Sequence, residues 1–474
     1  MEYATLRLIN FIGRYKQIII PWSLILGLLL SAIVGMVSIQ GGIISFLGLT
    51  TLVYMMASHQ TRYFVFLTLL LLVENFFYIF NRSTLIFIYD LKQLVGLFLL
   101  IMFVFYFPKI LKSRFFFSFS LFLFMGYQIL SIFTAYFTIG QPILKGVYTL
   151  MFPSLILIYF FACFLIEDLK RYEIFKRLLI YTSIGAGIIY VLQAWLYPRM
   201  IFLTTDFRFR YGNIRFTEFT VFMLFCAFIT LNELMNHSEN TRGIRRPLFM
   251  AAFVLQMYTF FFIAQSRFIT ITTVFLFGMA MLCLQKSIPR RTVIFMSVWF
   301  SIGASAVLML LYMQGKLPKL QFLFDTLQEI LTLSGNLDIR SDAVKYFIEN
   351  LHGHWLLGWG SLNLDFPKAF WVSGRRFWHY MVDVGFVGYL YQYGILGCVI
   401  AFYVVLKSLQ MSWQIYRKSN AVFFPILCNS AILLNSIMVF FFQETMALFY
   451  VGLIFAFMEF EYRKTFTDNG GLQT

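Results

Sequence analysis

Apolar runs recur along almost the whole chain, near residues 18–38, 42–58, 63–80, 94–108, 115–137, 147–166, 178–197, 216–232, 248–264, 268–284, 292–313, 383–406, 421–442 and 445–460, separated by charged or Pro/Gly breaks. Each is close to the ~20 residues that an α-helix needs to cross a hydrocarbon core. Lipid leaves a spanning backbone no water to bond, so such a run must satisfy its amides within a helix. The composition agrees: 60% of the residues are hydrophobic and the mean hydropathy is +0.79, more apolar surface than a water-soluble domain can cover. The expected fold class is therefore all-α, a polytopic membrane bundle of about 14 transmembrane helices. Several runs are only ~16 or 17 residues long, which predicts an untilted, re-entrant or broken helix among them.

One interval breaks the pattern. Residues 314–382 form a long hydrophilic stretch between the eleventh and twelfth runs, dividing the chain into helices 1–11 (1–313), a loop (314–382), and helices 12–14 with a tail (383–474). When successive runs alternate sides, lysine and arginine crowd the short loops on the side of the N-terminus, which places both termini in the cytoplasm and the long loop outside. The basic N-terminus (Arg7, Arg14, Lys16) leads into its apolar run without a small-residue cleavage site, as expected of an uncleaved first span. All five cysteines, at 163, 226, 283, 398 and 428, lie in apolar runs, and they read as core thiols rather than a disulfide framework.

Two basic groups stand on the external side against this rule. The 198–215 loop holds Arg199, Arg208, Arg210 and Arg215, and the long loop holds Lys316, Lys319, Arg340, Lys345, Lys368, Arg375 and Arg376. Arg267 stands alone at the external junction of two closely spaced runs. Guanidinium forks match phosphate oxygens, so these arginines are candidates for gathering around a lipid diphosphate. The alternative is snorkelling or local pairing: Arg215 and Glu218, three apart, would neutralise each other on one helix face.

Within the long loop, LPKLQFLFDTLQEILTLSG carries an amphipathic helical pattern at Leu320, Phe322, Leu323, Leu327, Ile330 and Leu331. DIRSDAVKYFIENL repeats it, with Ile339, Ala343, Val344, Phe347 and Ile348 as the apolar face. Trp355, Trp359, Trp371 and Trp378 follow in a Gly-rich segment, as an interfacial belt or as stacking platforms for sugar rings.

The run from Arg340 (IRSDAVKYFIEN) through HWLLGWG, followed by Asp383 and then YGILG, resembles the external loop of bacterial O-antigen polymerases (Wzy) and O-antigen ligases. Trp355-Leu356-Leu357-Gly358-Trp359-Gly360 corresponds to that family's PlxGxG-like stretch, with Trp in place of Pro, and Gly394 and Gly397 to its terminal glycines. Arg215 in YGNIRFTE and the Ser266-Arg267 pair match two further family positions. The resemblance spans about residues 205 to 407. Where ligases present His-Asn, this chain has Asp383-Val384, a departure that favours polymerase over ligase.

The resemblance implies glycosyl transfer at the outer face of the bacterial inner membrane, between polyprenyl-diphosphate-linked oligosaccharides serving as donor and acceptor. Asp383 or His379 would accept the proton of the acceptor hydroxyl. His379 sits four residues earlier and shares a face with Asp383 if the helix extends that far. Arg210, Arg215, Arg267 and Arg340 would stabilise the departing diphosphate, and Trp359, Trp378 and Arg376 would hold glycan. Asp383 has bland alternatives as an ion-pair partner of Arg375 or Arg376, or as a helix N-cap. No cofactor and no metal are expected: the chain has no glycine-rich phosphate loop and no Asp-x-Asp pair, and His352 with His354 lacks further ligands. Membrane lipid and a chain-length regulator protein are the other candidate partners, with no role for nucleic acid. Glu74 and Asn75, in mid-span, are either functional or packed against another polar position, and Glu444 is a further candidate for lining the external cavity. A ligase, or a lipid-linked oligosaccharide flippase, is the competing class; a flippase is expected to show two similar halves and short external loops.

Overall fold

A computed structural model describes residues 59–74, 91–196, 208–210, 213–215, 220–235, 245–260, 336–377, 379–418, 442 and 445–467. Among the described residues its regular elements are helices and one short hairpin, joined by turns and one longer irregular stretch over 350–366. In chain order the elements are α1 (His59–Val73), α2 (Leu91–Ser113), α3 (Ser118–Ile139), α4 (Ile143–Leu150), a 3-10 segment (Pro153–Leu157), α5 (Ile158–Leu165), α6 (Leu169–Leu196), β1 (Arg208–Arg210), β2 (Asn213–Arg215), α7 (Thr220–Met235), α8 (Arg245–Tyr258), α9 (Asn336–Glu349), α10 (Pro367–Val372), α11 (Phe386–Lys418) and α12 (Thr445–Thr467). Four of these, α2, α3, α6 and α11, are long and apolar enough to cross a membrane, and a bent pair makes a fifth. The runs at 18–38, 42–58, 268–284 and 292–313 lie outside the described residues, as does nearly all of 421–442.

The window over 147–166 is realised as that bent pair. Helix α3 ends at Gly140, whose left-handed φ of 72° lets its amide return to Ala135 and Tyr136, and Pro142 then opens α4. Pro153 has no amide to continue α4, so the chain tightens into the 3-10 segment and turns by 40° into α5. The corner is tightly covered: a β-carbon on Gly452 of α12 would stand 2.6 Å from the Ile156 carbonyl oxygen. Helix α12 packs on this corner, on α7 and on α11, and Phe117 stacks on Phe455 at 4.2 Å.

Polar groups inside the bundle are paired across helices. Gln256 of α8 donates to Ser183 of α6 at 2.7 Å and to Thr230 of α7 at 3.1 Å. Lys176 bridges Glu173 at 2.8 Å and the buried Glu233 of α7. Glu74 is not an isolated mid-span carboxylate: it is fully buried and accepts the Tyr450 hydroxyl of α12. The second of its two readings, packing against another polar helix position, is the one observed; Asn75 lies outside the described residues.

The bundle has two distinct ends. At one, the buried Glu459 accepts from the Phe116 amide, the Tyr159 hydroxyl and Arg463 Nε, each at 3.0 Å, and Arg171 holds Asp168 at 3.0 Å. At the other, the turn at residues 140–145 bonds the segment around residue 361. The alternation of apolar runs assigns these two loop sets to opposite sides, and the contacts keep them apart in the same way.

Candidate functional site

The site is built on a break in α11. At Gly394 the backbone leaves helical geometry (φ 64°, ψ −174°), so hydrogen bonds of the spanning helix are interrupted inside an apolar environment. Residues 355–360 satisfy the freed groups. Ile395 N donates to Trp355 O at 2.8 Å and Leu396 N to Leu356 O at 3.1 Å; in return, Trp359 N donates to Tyr391 O at 3.2 Å and Gly360 N to Gln392 O at 2.7 Å. The Tyr127 hydroxyl of α3 covers the remaining carbonyl, that of Tyr393, and reaches Leu357 O at 3.5 Å.

The clasp requires glycine on both sides. Gly358 (φ 66°) and Gly394 each occupy the space that the other's β-carbon would need, and a β-carbon on Gly360 (φ 84°) would stand 2.5 Å from the Ala135 amide of α3. Beyond Gly360 the chain is laced to α3 and the turn that follows it. Ser361 N donates to Ser131 O at 2.9 Å, Gln141 donates to Ser361 O at 2.8 Å, and Asn363 donates to Gln141 Oε1 at 2.8 Å and to Lys145 O at 3.0 Å.

Asp383 sits on a 3-10 turn (Met381–Val384) directly ahead of α11. That turn presses on Gly388, where a β-carbon would stand 2.6 Å from the Met381 carbonyl carbon. Helix α9 packs across the turn and across α11, burying Ala343, Phe347 and Leu351 with Val384 and Tyr391. Arg340 is half-buried one turn before Ala343, on the same stripe. Arg340 thus belongs to the helix that packs against the Asp383 turn. The buried stripe differs from the expected one: Ile339 and Ile348 are exposed, because α9 rests on α11 along a narrow line through Ala343, Phe347 and Leu351.

Asp383 is exposed and makes no ion pair among the described residues. It is neither partnered with Arg375 or Arg376 nor the cap of α11, which begins at Phe386. Arg375 lies over the Tyr380 ring at 5.3 Å and Arg376 over Trp371 at 3.7 Å, both exposed. The shared helical face of His379 and Asp383 also fails, because Tyr380 is extended and Gly385 (φ 56°, ψ −124°) separates the turn from the helix. His379 instead packs its ring against Tyr346 at 5.2 Å and Phe377 at 6.4 Å, with Nδ1 buried and unbonded among the described residues. Burial among these rings pushes the Tyr346 phenol above its ordinary value.

Trp359 is fixed rather than free: its ring packs on His354 at 3.9 Å and on Tyr391 at 6.2 Å, and its Nε1 donates to Asn350 O at 3.2 Å. Trp355 and Trp371 are exposed. Among the described residues no three His, Cys, Asp or Glu side chains gather as metal ligands, and Cys163, Cys226 and Cys398 are free buried thiols.

Arg215 is not in a helix with Glu218. It lies in β2, paired with Arg208 of β1, while Arg210 pairs with Asn213. Directly paired residues and their i+2 neighbours share one side of a ribbon, so Arg208, Arg210 and Arg215 hold positions on the same register face. Arg267, Trp378, Glu444 and the amphipathic pattern over 318–335 lie outside the described residues. Sequence reasoning singled out the glycines of the clasp but missed Tyr127, Gln141 and Asn363, which carry no motif. Among known proteins, no family model and no curated sequence matches the chain.

Proposed function

We propose that the chain is a surface-polysaccharide polymerase that joins lipid-diphosphate-linked oligosaccharide repeat units at the outer face of the inner membrane. One observation carries the reading. The segment Trp355–Gly360 and the helix break at Gly394, two stretches named in the resemblance, are bonded to each other, and the turn that opens the broken helix carries an exposed carboxylate, Asp383, and packs against the helix that carries Arg340.

In the proposed reaction an acceptor-sugar hydroxyl attacks the anomeric carbon of the donor glycan. Its oxygen forms the new glycosidic bond as the bond from that carbon to the lipid diphosphate breaks. The diphosphate leaves with the electron pair, and the hydroxyl proton passes to Asp383. Arg340, with Arg210, Arg215 and Arg267, supplies the positive charge that the leaving diphosphate needs. Trp359, Trp378 and Arg376 bind glycan. Arg376 over Trp371 presents a flat cationic and aromatic surface suited to stacking on a sugar ring.

The reading is tested by glycan banding from cells that lack the protein. Caps of a single repeat unit support the polymerase. Long lipid-linked chains that never reach the core assign the chain to a ligase, and loss of all external repeat units assigns it to a flippase.

A further inference from the structure

At the end of the bundle opposite Asp383, a cleft of about 440 Å³ opens between the ends of α2, α5 and α12. Its acidic members are already engaged. Glu459 is saturated by the Phe116 amide, Tyr159 and Arg463, and Glu167 and Asp168 are both held by Arg171. Two cations remain: Lys109 and Lys464 line the cleft, are exposed, and have no acidic partner among the described residues. Lys109 is held at the rim, its Nζ lying 4.4 Å above the Phe164 ring. The three carboxylates and three cations of the lining balance; Arg171, reaching Glu167 and Asp168 from beside the cleft, leaves the cluster one positive charge in excess, with Lys109 and Lys464 as its unpaired members among the described residues.

Phe164 also lines a second, shallow apolar crease of only about 20 Å³ on the α2 and α5 surface, together with Phe103, Tyr106, Leu157 and Phe160. Phe164 and Tyr106 lie 6.1 Å apart, and Phe103 and Phe160 5.6 Å. These two unpaired lysines at the level where spanning helices end, beside a shallow aromatic crease that runs toward the bundle's middle, match the two halves of one molecule: a phosphodiester headgroup and an acyl chain. We infer that this is a specific binding site for an anionic glycerophospholipid, with the headgroup between Lys109 and Lys464 and one acyl chain along Phe103 and Phe160. The site is remote from the Asp383 turn and stands whether or not the proposed transfer reaction does.

The test uses the full chain, stripped of lipid in detergent and titrated with dioleoylphosphatidylglycerol or dioleoylphosphatidylcholine, with bound lipid counted by native mass spectrometry. One phosphatidylglycerol is expected to bind in preference to phosphatidylcholine, by roughly 10- to 30-fold given what two lysines near a bilayer surface contribute. Lys109→Ala with Lys464→Ala removes the preference, and Lys109→Arg with Lys464→Arg keeps it. Equal retention of the two lipids by the unaltered chain, or a preference that survives the double alanine change, overturns the inference. Displacement of the lipid by glycerol phosphate alone overturns it too, since the crease would then add nothing.

Discussion

A β-carbon on Gly358 would stand 2.5 Å from the amide nitrogen of Gly394, and a β-carbon on Gly394 the same distance from that of Gly358. The two backbones touch where neither admits a side chain, and both residues hold positive φ. Gly358→Ala or Gly394→Ala must therefore undock the segment Trp355–Gly360 from α11, freeing up to four backbone bonds in a poorly hydrated place. Each substitution is expected to cost about 3 kcal/mol or more. Gly353 (φ 79°) is the control, since nothing lies within 4 Å of its missing β-carbon; Gly353→Ala should cost only the ~1–2 kcal/mol of the left-handed conformation. Thermal melting in detergent checks the order, and equal costs for Gly353 and Gly358 would remove the clasp as a stabilising element.

Tyr127 reaches the clasp from α3. Its hydroxyl covers the Tyr393 carbonyl, and its ring lies where a β-carbon on Gly397 would meet it at 2.7 Å. Tyr127→Phe keeps the ring and removes only the donor, leaving a buried carbonyl unbonded. A loss of about 1–3 kcal/mol follows. Hydrogen exchange read at Ile395 and Leu396 should quicken in this variant; unchanged protection would show that the carbonyl has found another donor.

How far the fold was legible depends on what each signal measures. Hydropathy located α2, α3, α6 and α11 because a spanning helix must be apolar over its whole length. It read 383–406 as one helix, since a backbone break repaired by a segment some thirty residues upstream leaves no trace in local composition. The same blindness hid the bend at Pro153, where the proline is visible but the packing against Gly452 is not. Pairing of Arg215 with Glu218, the alternative to phosphate binding, requires a helix, whereas Arg215 lies in a strand paired with Arg208, a contact that its spacing to Glu218 does not signal. For α9, periodicity placed the helix but not its contact line, because Ile339 and Ile348 fit an apolar face that α11 is too narrow to cover.

The Lys176–Glu233 pair ties α6 to α7 with both side chains buried. Lys176 keeps its second partner, Glu173, when Glu233 becomes Gln, so the loss is expected to be about 1–3 kcal/mol, below that of a fully unpaired buried charge. Replacing both, as Lys176→Met with Glu233→Leu, should recover most of that loss, because the one charge left behind, Glu173, is partly exposed to solvent. A double variant less stable than Glu233→Gln would show that the pair contributes net attraction rather than mutual neutralisation.

Tyr346 carries a raised phenol through burial beside Phe347, Phe377 and His379. A raised folded value means that the folded state holds its proton longer than the unfolded chain. The contribution is therefore complete below pH 10.0, the ordinary value for this group, and is lost as pH rises from there through the folded value. Melting curves of the unaltered chain should fall more steeply above pH 10 than those of Tyr346→Phe. Parallel curves would mean that Tyr346 does not sense folding.

Asp383 and His379 are the two candidate bases of the proposed transfer, and their surroundings differ. Asp383 is exposed on its turn and keeps both oxygens available to an acceptor hydroxyl, whereas the His379 ring is wedged against Tyr346 and Phe377 with Nδ1 buried. On that proposal Asp383→Asn preserves shape and removes the proton acceptor, so polymerisation should fall by about 10²–10⁴-fold with no change in melting. His379→Phe keeps the aromatic packing and removes the imidazole, and polymerisation should persist; Arg267→Ala should abolish it if Arg267 holds the diphosphate as proposed. The readout is chain length on glycan gels, normalised to the amount of protein in the membrane. Activity retained in Asp383→Asn and lost in His379→Phe would transfer the role to the histidine, and activity in both would move the base away from this turn altogether.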